Sequence, residues 1–291
     1  MTFNDNADIG GGRVRKRGRN AAIGAGGGGL VVIALFVVSQ LVGFDLTGLA
    51  PILGGGGDPG TVEETNLDQC ETGAQANEDI DCRMKGAAAA LDIYWATQVD
   101  GYTGPEMIIF VDGTSTGCGN ATSASGPFYC PPDQTVYLDT AFYEDLRTQF
   151  GATGGTLAQL YVVAHEWGHH IQNITGTMNG LDLQDQGPTS DGVRLELQAD
   201  CYAGAWVNAA STQPGPNGVP FLKVPTDAEI ADALNAAAAV GDDHIQETMG
   251  GGQVNPETWT HGSSESRQKW FNTGYTQGVG ACDTFAANAN L

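Results

Sequence analysis

The stretch LAQLYVVAHEWGHHIQNI, residues 157–174, decides the fold of this chain. Two glycines precede it and Gly176 follows it, so the sequence predicts one long helix between these breaks. His165 and His169 are separated by a little over one helical turn, and both imidazoles therefore project from the same face. The residues before them are mostly apolar, which indicates a helix buried in a domain.

The pattern H-E-x-x-H at residues 165–169 predicts a metal site. Two imidazoles on one helical face can share a divalent cation. Glu166 stands next to the first of them and can reach a metal-activated water without ligating the metal. Zinc suits these ligands best, although cobalt and manganese accept the same ones. The predicted chemistry is hydrolysis with Glu166 as the general base.

The predicted third ligand is Glu196, in a second predicted helix over 192–210. Glu196 and Asp200 are one turn apart, so their carboxylates share a face of this helix. We expect Glu196 to bind the metal. Asp200 should accept the second ring N–H of a ligating histidine, which fixes the tautomer and orientation of that histidine.

The other histidines are rival or structural residues. A metzincin would have glycine and histidine where this chain has Gln172 and Thr175, so that pattern fails. His170 points about 100° away from the second motif histidine, and we expect it to cap or pack. His244 and His261 lie far along the chain in polar segments, yet either could act as a ligand.

Three further predictions concern catalysis and substrate binding. His261 is the candidate donor to a developing oxyanion, with Tyr161 or Tyr202 as alternatives. The bulky Trp167 beside the general base is expected to narrow the cleft. The segment Thr135–Asp139 is expected to offer an exposed sheet edge to which a substrate adds as a strand, the alternative being an ordinary interior strand.

The order of predicted elements indicates an α+β fold. Strands are predicted over 107–111 and 135–139, and helices over 84–99, 141–150, 157–174, 192–210, 226–241 and 263–275. The helix at 226 begins with the capping box Thr226-Asp227-Ala228-Glu229. Strands that precede a run of helices favour a small mixed sheet with a helical C-terminal half.

The N-terminal region carries a topology signal. Five basic residues precede a run without charge over 21–44: Arg13, Arg15, Lys16, Arg17 and Arg19. This pattern predicts a basic cytoplasmic segment over 1–20, a transmembrane helix over 21–44, a glycine-rich linker over 45–65 and an extracytoplasmic domain over 66–291. A cleaved signal peptide is the alternative, although no convincing A-x-A site follows the run.

Charge and cysteine content narrow the class of protein. The chain has 34 acidic against 12 basic residues, so its acidic body is a poor partner for nucleic acid. Its 6 cysteines include no C-x-x-C pair, which argues against a cysteine-ligated zinc. Outside the cytoplasm they indicate three disulfides, one of fifteen possible pairings; our choice is Cys70–Cys82, Cys118–Cys130 and Cys201–Cys282. Free buried thiols in a cytosolic protein are the alternative.

Several ordered segments carry a family resemblance. They are PFYCP (127–131), QTVYLD (134–139), AHEWGHHIQ (164–172), ELQADCYAG (196–204), GDDHIQ (241–246) and THGSS (260–264). Together they resemble the bacterial family named "Putative neutral zinc metallopeptidase" over about residues 66–285. The resemblance implies a zincin-like domain with two histidines and a glutamate on one zinc, a peptide or protein substrate, and a single N-terminal membrane segment. Trp167 departs from the aliphatic residue expected there.

Two other functions fit the same motif. A metal-dependent amidase of the cell envelope would use the same metal-water chemistry on a different bond. A non-catalytic binding module could keep the metal for stability alone, although such a module would not need Glu166.

Overall fold

The computed structural model describes residues 2–18, 64–248 and 252–291. The predicted transmembrane helix over 21–44 and nearly all of the predicted linker over 45–65 lie outside these residues. In the described part of the chain, no helix combines the length and apolar character that a membrane crossing requires.

The described residues form an α+β domain with a small mixed sheet. The strands are β1 (Val14–Arg17), β2 (Glu64–Asn66), β3 (Glu106–Phe110), β4 (Gly113–Thr116), β5 (Gly119–Thr122), β6 (Phe128–Cys130) and β7 (Thr135–Asp139). The helices are α1 (Gly73–Glu78), α2 (Ile80–Gln98), α3 (Phe142–Thr148), α4 (Thr156–Ile174), α5 (Asp191–Ala210), α6 (Asp227–Ala239), α7 (Asp242–Thr248) and α8 (Ser264–Gln277).

The predicted helices are confirmed with small differences at their ends. Helix α4 spans the predicted 157–174 with one additional residue, and α6 begins at the predicted capping box of Thr226 and Glu229. Strands β3 and β7 coincide with the two predicted strands. The sequence analysis missed the described strands β1, β2, β4, β5 and β6, which have three or four residues each. Such short strands have no clear alternation of apolar and polar residues.

The main sheet has the strand order β2-β1-β3-β7-β6. Strands β1, β3 and β7 run parallel to one another. The two outer strands are antiparallel to their neighbours, β2 to β1 and β6 to β7. Strand β7 pairs with β3 on one side and β6 on the other, and all its residues are buried. The predicted exposed edge over Thr135–Asp139 is therefore wrong, since the outer strand at this end is β6.

The N-terminal residues form part of the domain. Strand β1 lies between β2 and β3, and the side chains of Phe3 and Ile9 are completely buried. The basic residues of this segment make ion pairs with acidic groups of the domain: Arg13 with Asp92, Arg15 with Glu64 and Glu106, Lys16 with Asp81, and Arg17 with Glu64. The structure thus differs from the prediction of a separate basic segment over 1–20.

This arrangement has a consequence for topology. Two neighbouring strands of one sheet must lie on the same side of any membrane. If the domain is extracytoplasmic, β1 is extracytoplasmic with it, which conflicts with a cytoplasmic location for residues 1–20. The physical reason is that the acidic domain offers these basic side chains carboxylate partners, which a count of charges along the chain does not reveal.

Helices α5 and α8 pack closely in the C-terminal half. A Cβ atom on Gly204 would overlap the carbonyl oxygen of Phe271, and one on Gly274 would overlap the carbonyl oxygen of Cys201. The disulfide Cys201–Cys282 joins α5 to the segment after α8. The structure confirms all three predicted pairings, since Cys70–Cys82 and Cys118–Cys130 are also formed.

We predict that Phe3→Ala destabilises the domain by about 3 kcal/mol or more, since a large buried ring is lost. The midpoint of urea unfolding of the purified chain measures this effect. Leu183→Ala is the control, because Leu183 is 57% exposed and its truncation should change the free energy of unfolding by less than about 0.5 kcal/mol. Equal midpoints for the two variants would mean that residues 2–18 do not belong to the folded core.

Candidate metal centre

Helix α4 presents its two motif histidines toward helix α5. Gly168 lies between them and faces Ala199 of α5, where a Cβ atom on Gly168 would be only 3.0 Å from the Ala199 Cα atom. A larger residue at 168 would push the two helices apart. This close approach brings Glu196 of α5 to the face of α4 that carries His165 and His169.

The ligand atoms of these three residues converge. The Nε2 atoms of His165 and His169 are 3.2 Å apart, and the Glu196 carboxylate lies 3.1 Å from the first and 3.4 Å from the second. His165, His169 and Glu196 could hold a metal ion, because their ligand atoms all lie within 4.8 Å of one another. Two imidazoles and a carboxylate are a usual zinc set that leaves a fourth position open for water or substrate.

The hydrogen bonds of the two imidazoles orient both rings. His165 Nδ1 is 2.8 Å from the Asp200 carboxylate, and His169 Nδ1 is 2.9 Å from the side-chain oxygen of Gln172. Both acceptors require a proton on Nδ1, so each Nε2 atom keeps its lone pair for a metal. Asp200 therefore lies where the sequence predicts it. The role of Gln172 was not predicted, because a glutamine three residues after a histidine has no distinctive pattern.

Asp200 is completely buried, and Arg267 of α8 compensates its charge. The guanidinium donates from Nε and Nη2 to the two carboxylate oxygens at 2.8 and 3.0 Å, and from Nη1 to the Val240 carbonyl oxygen at 3.1 Å. The Tyr161 hydroxyl donates to the same carboxylate at 2.5 Å. Arg267 was missed in the sequence analysis, since it lies 67 residues from its partner and belongs to no local motif.

These contacts shift the pKa values of the ionisable groups at the candidate centre. Burial raises the pKa of Glu196, but the two histidines outweigh it and hold that pKa well below its usual range. Burial likewise raises the pKa of Asp200, and Arg267 and His165 bring it below normal. For His165, burial lowers the pKa, and the Asp200 and Glu196 carboxylates more than reverse this effect. A metal at this centre would therefore compete with protons for the histidines.

His261 lies outside the group of three, and hydrogen bonds to the Asp242 carboxylate hold its segment in place. One oxygen of Asp242 accepts hydrogen bonds from the backbone N–H groups of Thr260, His261 and Gly262 at 2.8, 2.6 and 2.9 Å. The other oxygen is 3.3 Å from His261 Nδ1. Burial lowers the pKa of His261, but the hydrogen bond to Asp242 and the charge of Glu196 raise it above normal. Asp242 thus contacts the Nδ1 side of the His261 ring.

Three other side chains that the sequence analysis considered as ligands or oxyanion donors contact residues outside the metal group or support it from the core. The Nε2 atom of His244 is 3.0 Å from the Phe150 carbonyl oxygen, away from the metal group. Tyr161 is committed to Asp200, and Tyr202 packs edge-on against Trp95 with ring centroids 5.1 Å apart. The structure therefore gives no support to Tyr161 or Tyr202 as an oxyanion donor.

The expected effect of Trp167 on the cleft is wrong. The indole is completely buried, and its N–H donates to the Tyr102 hydroxyl at 2.8 Å. A residue two positions after the first histidine projects from a different face of the helix, which here is directed into the core. His170 is also fully buried and packs, as predicted.

The candidate site is thus formed by a buried H-E-x-x-H helix that faces a glutamate of a second helix in an α+β domain. Residues 3–285 match the family described as "Putative neutral zinc metallopeptidase", and the chain belongs to this family. Uncharacterized proteins of Mycobacterium tuberculosis and Mycobacterium bovis are 52% identical over 224 residues, 76% of this chain and 76% of each relative. The uncharacterized protein YpfJ of Escherichia coli is 36% identical over 272 residues, 90% of this chain and 88% of YpfJ. No solved structure matches the chain.

We predict that the purified protein binds about one zinc ion per chain and that Glu196→Ala loses most of it, since a carboxylate ligand is removed. Metal content measured by mass spectrometry after dialysis tests this prediction. His244→Ala is the matched control and should keep its zinc, because His244 lies outside the group. Retention of zinc by Glu196→Ala would assign the third ligand to another residue.

Proposed function

We propose that this protein is a zinc-dependent peptidase that hydrolyses peptide bonds. The observation that carries the proposal is the convergence of Glu196 with His165 and His169, on a helix that also places Glu166 next to the first histidine. Membership of the family supports zinc as the metal and a peptide or protein as the substrate. Glu166 favours catalysis over a purely structural metal, since only a reaction requires a general base there.

The proposed mechanism assigns a role to each side chain of the centre. His165, His169 and Glu196 would hold the zinc, which when bound lowers the pKa of water to about 7 and polarises a carbonyl group. Glu166, 9% exposed, would accept the proton of the attacking water and pass it to the leaving amine. Asp200 and Gln172 would keep both imidazoles in the required tautomer.

His261 is the proposed donor to the oxyanion that develops on the carbonyl. Its side chain is 32% exposed, and the Asp242 carboxylate fixes its Nδ1 side, so its Nε2–H could point toward a substrate. The upward pKa shift favours the protonated ring, which has a donor on both nitrogens. A preorganised donor of this kind contributes roughly 3 kcal/mol of transition-state stabilisation.

The proposed substrate-binding edge is strand β6. It is the outer strand of the main sheet beside β7. A peptide that paired with β6 would be recognised through its backbone, with little demand on its sequence. Backbone recognition of this kind suits a peptidase of broad specificity.

We infer an extracytoplasmic location from the three disulfides, since such bonds persist in oxidising compartments and are rare in the cytosol. Strand β1 and the metal group belong to the same domain and would share this location. Strands β1 and β2 are paired and so lie on one side of any membrane, which is inconsistent with the predicted single crossing over residues 21–44 between them.

We predict that Glu166→Gln lowers the rate of casein cleavage by about 100-fold or more with its zinc retained, because the general base is lost and the ligands are kept. Glu78→Gln is the control, since Glu78 is an exposed residue of α1. Digestion of casein and of purified cell-wall fragments should be measured in parallel. If the protein cleaves only the cell-wall fragments, the amidase hypothesis replaces the peptidase hypothesis. If the zinc-loaded protein cleaves neither substrate, the result favours a non-catalytic binding module.

A second prediction concerns the pH dependence of the reaction. Asp242→Asn removes the carboxylate that favours protonated His261, so the pKa of His261 falls and the alkaline limb of kcat/KM moves to lower pH. His261→Ala should lower kcat about 100-fold with zinc retained. Asp243→Asn is the matched control, since Asp243 accepts from Ser264. An unchanged pH profile for Asp242→Asn would remove His261 from the mechanism.

A further inference from the structure

The geometry points to Tyr129 as a positioning residue that sets the distance between the outer strand β6 and the helix that carries the motif histidines. It does so through hydrogen bonds with His170 and Asn173 of α4. The inference rests on the proposed function, because it concerns a substrate that pairs with β6. It assigns to His170 and Asn173 a role that neither the motif nor the family description gives them.

The side chains of β6 divide between the two faces of the sheet. Phe128 stacks on Tyr137 of the neighbouring strand, with ring centroids 5.2 Å apart, and Cys130 forms the disulfide with Cys118. Cys130 and Tyr137 belong to a small apolar cluster separate from the main core, and Phe128 packs against it. Tyr129 is part of the main core together with the apolar residues of α4, and it is only 8% exposed. The middle residue of β6 therefore connects this strand to the helix.

The hydrogen bonds of the Tyr129 hydroxyl have one consistent assignment. His170 Nε2 lies 2.7 Å from the Thr103 carbonyl oxygen and must donate to it, so His170 Nδ1 is an acceptor. The Tyr129 hydroxyl therefore donates to His170 Nδ1 at 3.0 Å. The Asn173 side-chain amide donates to the same hydroxyl oxygen at 2.8 Å. With one bond given and one accepted, the hydroxyl is held in a single orientation.

The partners of Tyr129 lie on the same part of α4 as the second motif histidine. His170 directly follows the ligand candidate His169, and Asn173 is one turn further on, so both lie in the final turns of the helix with the second histidine. Successive side chains on a helix differ in direction by about 100°. One turn of α4 thus presents a metal ligand on one face and the anchor of β6 on another.

The other restraints on β6, the Cys118–Cys130 disulfide and the stacking of Phe128 on Tyr137, join it to strands and turns of the sheet side and not to α4. Strand β6 has three residues and a single strand neighbour, β7. A substrate backbone paired with its outer side would take its distance from the metal through β6, and a displacement of about 1 Å can cost a reaction a factor of about 100. The hydroxyl of Tyr129 is placed to prevent such a displacement.

Tyr129→Phe tests this inference, since it removes the hydroxyl and keeps the ring. The probes are two quenched-fluorescent peptides built on a casein bond that the wild type cleaves. One is long enough to run along β6, and the other is trimmed to the residues that flank the bond. We expect KM for the long peptide to rise about three- to tenfold, the loss of one net hydrogen bond, with kcat/KM for the short peptide and zinc content unchanged.

Tyr137→Phe is the matched control, because its hydroxyl donates to Asp133 at 2.8 Å and has no contact with α4 among the described hydrogen bonds. Tyr137→Phe should leave the ratio of kcat/KM for the long peptide to kcat/KM for the short peptide unchanged. If Tyr129→Phe lowers kcat/KM equally for both peptides, or loses zinc, then Tyr129 supports the metal centre in general and the inference is overturned. Unchanged kinetics on both peptides would overturn it as well.

Hydrogen exchange of the full chain separates this inference from the proposed function. Faster exchange at the amides of β6 in Tyr129→Phe, with α4 unchanged, is expected if the hydroxyl holds the strand. Unchanged exchange at β6 would contradict the inference even if the wild type cleaves casein. A wild type that cleaves neither peptide would sink the proposed peptidase, and the exchange at β6 would still decide whether Tyr129 holds the strand.

Discussion

The close contact between helices α4 and α5 is the constraint on which the rest of the site depends. Gly168 leaves room for the backbone of α5 at Ala199, and this spacing brings the Glu196 carboxylate within 3.4 Å of both motif imidazoles. A side chain at 168 would separate the glutamate from the histidines. Helix α8 is held against α5 by the same means, through Gly204 and Gly274, so three helices approach one another closely around one buried group of charges.

The burial of Asp200 explains why α8 has to be part of the site. An isolated carboxylate is costly in the protein interior, and this one has Arg267, Tyr161 and His165 as partners. The ion pair stabilises the anion, and the anion orients His165 for metal binding. Loss of either partner would leave an uncompensated buried charge. The disulfide at Cys201, next to Asp200, reinforces this region by joining α5 to the chain beyond α8.

Features coded by local spacing could be predicted from the sequence, and features that depend on distant partners could not. The histidines at 165 and 169 share one face of their helix, and the carboxylates at 196 and 200 share one face of theirs, so spacing predicted each pair. Arg267 and Tyr129 act through partners 67 and 41 residues away, and no periodic pattern marks them. Trp167 was misjudged for a related reason: the nearby His165 and His169 belong to the candidate metal centre, but the indole of Trp167 is directed into the core.

The basic residues before position 20 show how one pattern can have two physical explanations. Lysine and arginine near an apolar run indicate membrane orientation, yet the same charges are the natural complement of a domain with 34 acidic residues. Arg13, Arg15 and Lys16 each lie within 3.2 Å of a carboxylate of the domain, and all three are in strand β1 or directly precede it. Ion pairs at a surface contribute little individually, so buried Phe3 and Ile9 must supply most of the free energy that holds this segment.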